Sequence, residues 1–293
     1  MKLSIYPFIF IALLITISGC KQKTWEVTDV SKEITGADPT ASIFQIEAYI
    51  YNIYIGLTGR KPSAAEFEEA RKLLISSQAD RISRVAFVRT IFTKDEFYYN
   101  LYDLMRKDVM EDTDTTTILE EYQEAVQRLS DPGYQSQWAR YEELKTEYEQ
   151  LMQSVSALKA EQMGLTGLYR RGIDNDIYDE INMGSENFVV SNFTFFLGRY
   201  PTEQELEEGK KMVDSRSSML FLQSGNNKND FLNIFFGSLD YKEGLIRRLF
   251  ERYLYRAPSS YERDIYIERL GEDHEYKELI VALFSSDEYY RQQ

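Results

Sequence analysis

Three stretches of this chain carry the same seven-residue signature, Arg-x-Pro-Ser/Thr-x-x-Glu, and so commit it to building one local structure three times. The copies are Arg60-Lys61-Pro62-Ser63-Ala64-Ala65-Glu66, Arg199-Tyr200-Pro201-Thr202-Glu203-Gln204-Glu205 and Arg256-Ala257-Pro258-Ser259-Ser260-Tyr261-Glu262. Each follows an aromatic-rich helical segment. Proline stops that helix, the Ser or Thr caps the next, and the Glu three residues on closes a capping box with the cap's own amide. The arginine falls beside the carboxyl end of the preceding helix, where a cation is favoured.

Each copy closes on a second signal: Phe92-Thr93-Lys94-Asp95-Glu96-Phe97, Phe236-Gly237-Ser238-Leu239-Asp240-Tyr241 and Phe284-Ser285-Ser286-Asp287-Glu288-Tyr289. In the first and third, a Ser/Thr with an acid three residues later reads as another helix start; the second reads as degenerate. Between these signals apolar residues recur at three- and four-residue steps, as in Ile46, Ile50, Ile53, Tyr54 and Leu57, which is the helical period. Alternating runs are short and few. The expected fold is all-α: stacked helical repeat units at 42–110, 184–244 and 245–293, gaining their core from their neighbours. The second copy carries a polar run, Gln223 to Asp230, that reads as a surface loop.

Residues 111–183 differ in character. Leu119, Tyr122, Val126 and Leu129 follow heptad spacing, and after Asp131-Pro132-Gly133 so do Tyr141, Leu144, Tyr148, Leu151, Val155 and Leu158. This pattern predicts an inserted antiparallel, coiled-coil-like helical hairpin. Either its stripe packs on the repeats as core, or it projects as an arm whose seam, Tyr141 to Leu158, receives a partner helix.

The amino terminus is of another kind. Lys2 precedes an apolar run from Ile5 to Ile17, then Ser18-Gly19 and Cys20, the one cysteine in 293 residues. This order resembles the lipobox of bacterial lipoproteins. The resemblance implies a leader at 1–19, cleavage before Cys20 and acylation of that cysteine. Two or three acyl chains, at about 0.8 kcal/mol per buried CH₂, hold a protein stably on a membrane. The alternative is an uncleaved transmembrane anchor. Lys21, where the family's inner-membrane retention signal has Asp, favours delivery to the outer membrane and leaves the leaflet open. Residues 20–41 are polar, contain Gly36 and Pro39, and read as a tether.

Composition narrows the chemistry. A net charge of −14 argues against nucleic acid, whose phosphates require a basic face. With Cys20 committed to lipid and one histidine, His274, in a polar stretch, cysteine and multi-histidine metal sites, thiolate nucleophiles and haem attachment are excluded. Glycine-rich phosphate loops are missing from the sequence. Asp112-Thr113-Asp114 and Asp174-Asn175-Asp176 lack the glycine and glutamate of a calcium loop and read as solvated turns. The abundant carboxylates could in principle serve glycan cleavage, yet Glu66, Glu205 and Glu262 are already assigned to caps.

With its Gly-Arg-x-Pro corner and its Phe-x-Ser-x-Glu-Phe/Tyr closing signal, the chain resembles a class of uncharacterised helical domains of bacterial surface and envelope proteins, over roughly residues 44–102 and 187–291. It departs from that pattern at Tyr255, which stands where the glycine is usual, and at Gly237-Ser238-Leu239-Asp240. The resemblance implies a structural or interaction module and carries over no catalytic residue. The expectation is a non-enzymatic, lipid-anchored envelope scaffold or adaptor without cofactors, meeting the membrane through its acyl chains and binding other envelope proteins. The alternative is a glycan-binding surface lipoprotein, since the chain's 22 tyrosines could stack on sugars.

Overall fold

A computed structural model describes residues 42–270 and 276–293, with backbone alone at 269. The leader, Cys20, the tether and His274 lie outside the described residues. What is described is predominantly helical, with one two-stranded sheet. Four helices open the fold: α1 (Ile43–Thr58), α2 (Ala64–Ser76), α3 (Arg81–Ile91) and α4 (Asp95–Val109). The middle segment forms α5 (Thr115–Ser130), a 3₁₀ turn (Pro132–Gln137), α6 (Trp138–Met152), α7 (Ser154–Lys159), α8 (Leu165–Ile173) and α9 (Asp176–Ile181). Then come α10 (Ser185–Asn192), which runs on into a π turn (Phe193–Leu197), α11 (Glu203–Val213), β1 (Ser218–Leu220), β2 (Gln223–Gly225), α12 (Lys228–Gly237) and α13 (Leu239–Leu254). The last helices are α14 (Ser260–Arg269), α15 (Tyr276–Phe284) and α16 (Asp287–Arg291).

Helix starts follow side-chain chemistry. Ser63, Thr202 and Ser259 each accept the amide at the third helical position while Glu66, Glu205 and Glu262 reach back to the cap amide. A cap of this kind is worth about 1 kcal/mol. Asp80, Asp114, Asn175, Asn227, Ser238 and Ser286 cap further helices in the simpler way.

Three features differ from the sequence reading. Gln223 to Asp230 is not a loop: Gln223–Gly225 pairs antiparallel with Ser218–Leu220, and Asn227 caps α12. The hairpin turns through Phe221 and Leu222, both left-handed at φ 48° and 63°. Its turn lacks the Asn-Gly chemistry that marks such hairpins in sequence, and Phe221 is held by its ring against Phe193 and Phe235. Second, a boundary between 244 and 245 would fall inside α13, which continues unbroken from the Ser238 cap to the Tyr255 corner. Third, the middle segment is more than a hairpin. α5 and α6 pack along each other, but α8 lies against α4 and contributes the buried Leu168 and Ile173, with Gly172 allowing close approach to Met105 and Val109.

One continuous set of buried apolar side chains extends from Ile46 to Tyr290. The carboxyl-terminal helices dock on the amino-terminal ones rather than at the far end of a row. The buried Tyr49 hydroxyl donates to the Phe284 carbonyl at 2.9 Å, and buried Arg84 donates to the Ser285 carbonyl at 3.0 Å, pairs with Asp287 and lies over the Tyr290 ring.

Candidate functional site

The three arginine corners share one geometry. The helix before each ends on a left-handed residue, Gly59 (φ 69°), Gly198 (φ 62°) or Tyr255 (φ 54°). The arginine that follows forks onto the capping-box glutamate: Arg60 on Glu66 at 2.8 and 2.9 Å, Arg199 on Glu205 at 2.8 and 2.7 Å, Arg256 on Glu262 at 2.9 and 2.6 Å. Pro62, Pro201 and Pro258 occupy the link between this arginine and the cap. The same guanidinium reaches a second carboxylate on the helix that closes the copy, Glu96 at 2.9 Å, Asp240 at 2.9 Å or Glu288 at 2.6 Å. It also lies over the ring six residues before it, Tyr54, Phe193 or Phe250, at 5.2 to 5.8 Å. Sequence reasoning placed the first carboxylate of each pair in its capping box without joining it to the arginine, and missed the second, 36 to 41 residues away in two copies and 32 in the third.

These contacts fix the charges. The guanidinium forks hold Glu205 and Glu262 down to about 2, and Glu66 lower still. A carboxylate so engaged is a poor proton donor, and the corners are therefore joints rather than acid–base pairs.

The closing signals are phased differently from the sequence reading. The caps are Ser238 and Ser286, and at α4 the cap position is Lys94, which makes no side-chain cap, while the Thr93 hydroxyl donates to the Thr90 carbonyl instead. The second copy is thus fully capped, and the phenylalanine of each signal packs on the aromatic residue at its end: Phe92 on Phe97, Phe236 on Tyr241 and Phe284 on Tyr289, at 4.7 to 4.9 Å.

The expected partner seam is turned inward. Tyr148, Leu151 and Leu158 are at most 2% exposed, and Leu144 and Val155 pack against the same core. Tyr141 is half-buried and edges against Tyr134. The stripe is also interrupted, because α6 stops at Met152 and α7 sets off as a separate helix. Heptad spacing describes a buried stripe as well as an exposed seam, and here α5, α8 and α4 cover it.

A different surface beside that hairpin is open. Where α4, α5 and α7 meet, a groove of about 530 Å³ is lined by Tyr99, Tyr102, Leu119, Met152, Val155 and Lys159. Tyr99, Leu119 and Met152 are 56%, 42% and 38% exposed. Lys159 at its rim pairs with Asp95 at 2.7 Å. Leu119 was visible in the sequence as part of the heptad stripe; Tyr99 was not, because its neighbours Phe97, Tyr98, Leu101 and Tyr102 already account for a buried face.

The acidic clusters are engaged locally. Asp114 caps α5, Asp176 pairs with Arg140, and Lys228 binds Asp179 at 2.8 Å. Beside them Glu147 is pushed up to about 7, chiefly by burial. Among the described residues no group of three or more His, Cys, Asp or Glu side chains is placed to hold a metal ion, and no helix is long and apolar enough to cross a membrane.

Compared with protein-family models, curated proteins and solved structures, the chain finds no match.

Proposed function

We propose that this chain is a non-enzymatic, lipid-anchored scaffold or adaptor of the bacterial cell envelope. Cys20 carries the acyl chains, residues 20–41 tether the body, and Lys21 directs it to the outer membrane. The body is built from three repeat units clasped by Arg60, Arg199 and Arg256, with the α5–α6 hairpin inserted between the first and second. The groove of Tyr99, Leu119 and Met152 seats an apolar segment of another envelope protein, within an outer-membrane or secretion-related assembly.

The observation that carries this reading is the groove itself: three large apolar side chains standing exposed together around a concave surface. Apolar surface left exposed around a concavity marks an interaction site. A sugar-binding surface would need two or three exposed ring faces, and this groove offers one, since Tyr102 is only 5% exposed.

The test is to crosslink the full lipidated protein in its native membranes with a photoreactive residue at 119, and to identify the products by mass spectrometry. Recurrent stoichiometric envelope proteins, lost when the probe is moved to an exposed position on α14 such as Tyr261, support the adaptor. Acylated protein with no crosslinked companion refutes it.

A further inference from the structure

One end of the first repeat unit leaves large apolar side chains in the open. α1 and α2 run antiparallel in a register fixed by two contacts: the Tyr51 ring lies 5.0 Å from that of Phe67, and Arg71 donates to Glu47 at 2.9 Å. Four residues toward the start of α1 are thus matched by four toward the end of α2, and one further turn brings Ile43 level with Ile75. The chain turns back through residues 77–80 into α3, so Ile82, in the first turn of α3, stands at the same end. Phe44 and Ile82 are 82% and 81% exposed, and Ile43 and Ile75 are exposed beside them.

The charges at this end run against those of the chain, whose net charge is −14. Glu47 is held by Arg71, Asp287 by Arg84, and Asp80 accepts the Ser83 amide as the cap of α3. Lys72 and Arg81 are exposed, and so is Arg291, which the Gln45 donation to the Tyr290 carbonyl at 3.1 Å sets beside the first turn of α1. Among the described residues none of these three cations has a carboxylate partner. Exposed apolar side chains flanked by free cations suit a phospholipid surface: the apolar groups enter the acyl boundary and the cations meet headgroup phosphates.

Where the tether joins the body says which surface this is. Under the lipid-anchored reading, on which this inference rests, residues 20–41 link the acylated Cys20 to Ser42, directly before Ile43 and Phe44. At up to about 3.5 Å per residue that link reaches about 75 Å at most. Along the chain, this end of the body is the part held closest to the bilayer, and such confinement lets a weak contact be well populated. We propose that the end bearing Ile43, Phe44, Ile75 and Ile82 docks on the bilayer that holds the acyl chains, with Lys72, Arg81 and Arg291 against anionic headgroups.

The experiment reconstitutes the full lipidated chain in vesicles of phosphatidylethanolamine and phosphatidylglycerol, with an environment-sensitive fluorophore on Ile82→Cys. It reads the emission of the label and its quenching by lipids spin-labelled near the headgroup. Leu222→Cys, equally exposed on the β-hairpin of the second copy, carries the same label as the control. Emission at 82 should shift to the blue and be quenched, and emission at 222 should not. The quenching should weaken when phosphatidylcholine replaces phosphatidylglycerol, and fall to the control level in Phe44→Asp with Arg81→Asp, which alters exposed side chains alone. A chain that floats with the vesicles and shows solvent-like emission at both positions overturns the proposal and leaves the anchor standing. Quenching that persists in the double variant also overturns it, because the label alone has then partitioned. A chain that does not float removes the anchored reading and this inference with it.

Discussion

Tyr255→Gly should stabilise this protein. Tyr255 holds φ at 54° where the other two corners use glycine, and a left-handed L-residue costs about 1 to 2 kcal/mol. Glycine removes that strain but makes the unfolded chain more mobile, which returns roughly 0.5 to 1 kcal/mol. The ring is 84% exposed, so its loss gives up little burial. The net expectation is about 0.5 to 1 kcal/mol of added stability, and at roughly 2 to 4 °C per kcal/mol for a body of this size the midpoint rises by about 1 to 4 °C. Urea unfolding at pH 7 with an unchanged m-value is the assay. The converse variants, Gly59→Ala and Gly198→Ala, should each lose about 1 kcal/mol. A Tyr255→Gly protein that is less stable than wild type would refute the strain argument and point to a contact made by that ring.

Gly244→Ala should cost more than the corner glycines, because a Cβ at 244 would overlap the Phe196 carbonyl oxygen, a backbone atom that cannot swing aside. Overpacking of that kind costs about 1 to 3 kcal/mol or more, and urea midpoints measure it. Leu151→Asp should leave an unfolded chain by circular dichroism, since Leu151 is fully buried, whereas Leu119→Asp should fold normally and lose crosslinking from a photoreactive residue placed at 99 in the same groove. Stability should fall at both ends of the pH range for opposite reasons. Glu205 and Glu262, held near 2, stabilise the fold above about 4.5 and lose that contribution as the pH drops toward 2. Glu147, raised to about 7, favours the fold most below about 4.5 and loses that contribution as the pH climbs to about 7. Glu147→Gln should flatten the slope of stability against pH between those limits, and an unchanged slope would exclude that residue as its source.

How far the sequence could be read depended on how local the chemistry was. The capping boxes at Ser63, Thr202 and Ser259 were legible because cap and acid lie three residues apart and need nothing else. The closing signals were misphased because Ser285-Ser286 offers two plausible caps, and only the tertiary fold selects Ser286 by burying Ser285. Glu96, Asp240 and Glu288 could not be matched to their arginines, since those pairs exist only once a whole unit has closed. The β-hairpin escaped notice because its turn residues are Phe221 and Leu222, without turn chemistry, and what fixes the turn is the packing of the Phe221 ring on Phe193 and Phe235. The groove fell between elements, from residues that periodicity assigns to different helices.

One helix, α13, begins at the cap that closes the second arginine corner and ends at the residue that opens the third. The second and third corners therefore share one element, like links sharing a pin. Neither corner can be excised without shearing the other, because a cut anywhere in Leu239–Leu254 takes from one the helix that closes it or from the other the helix that leads into it.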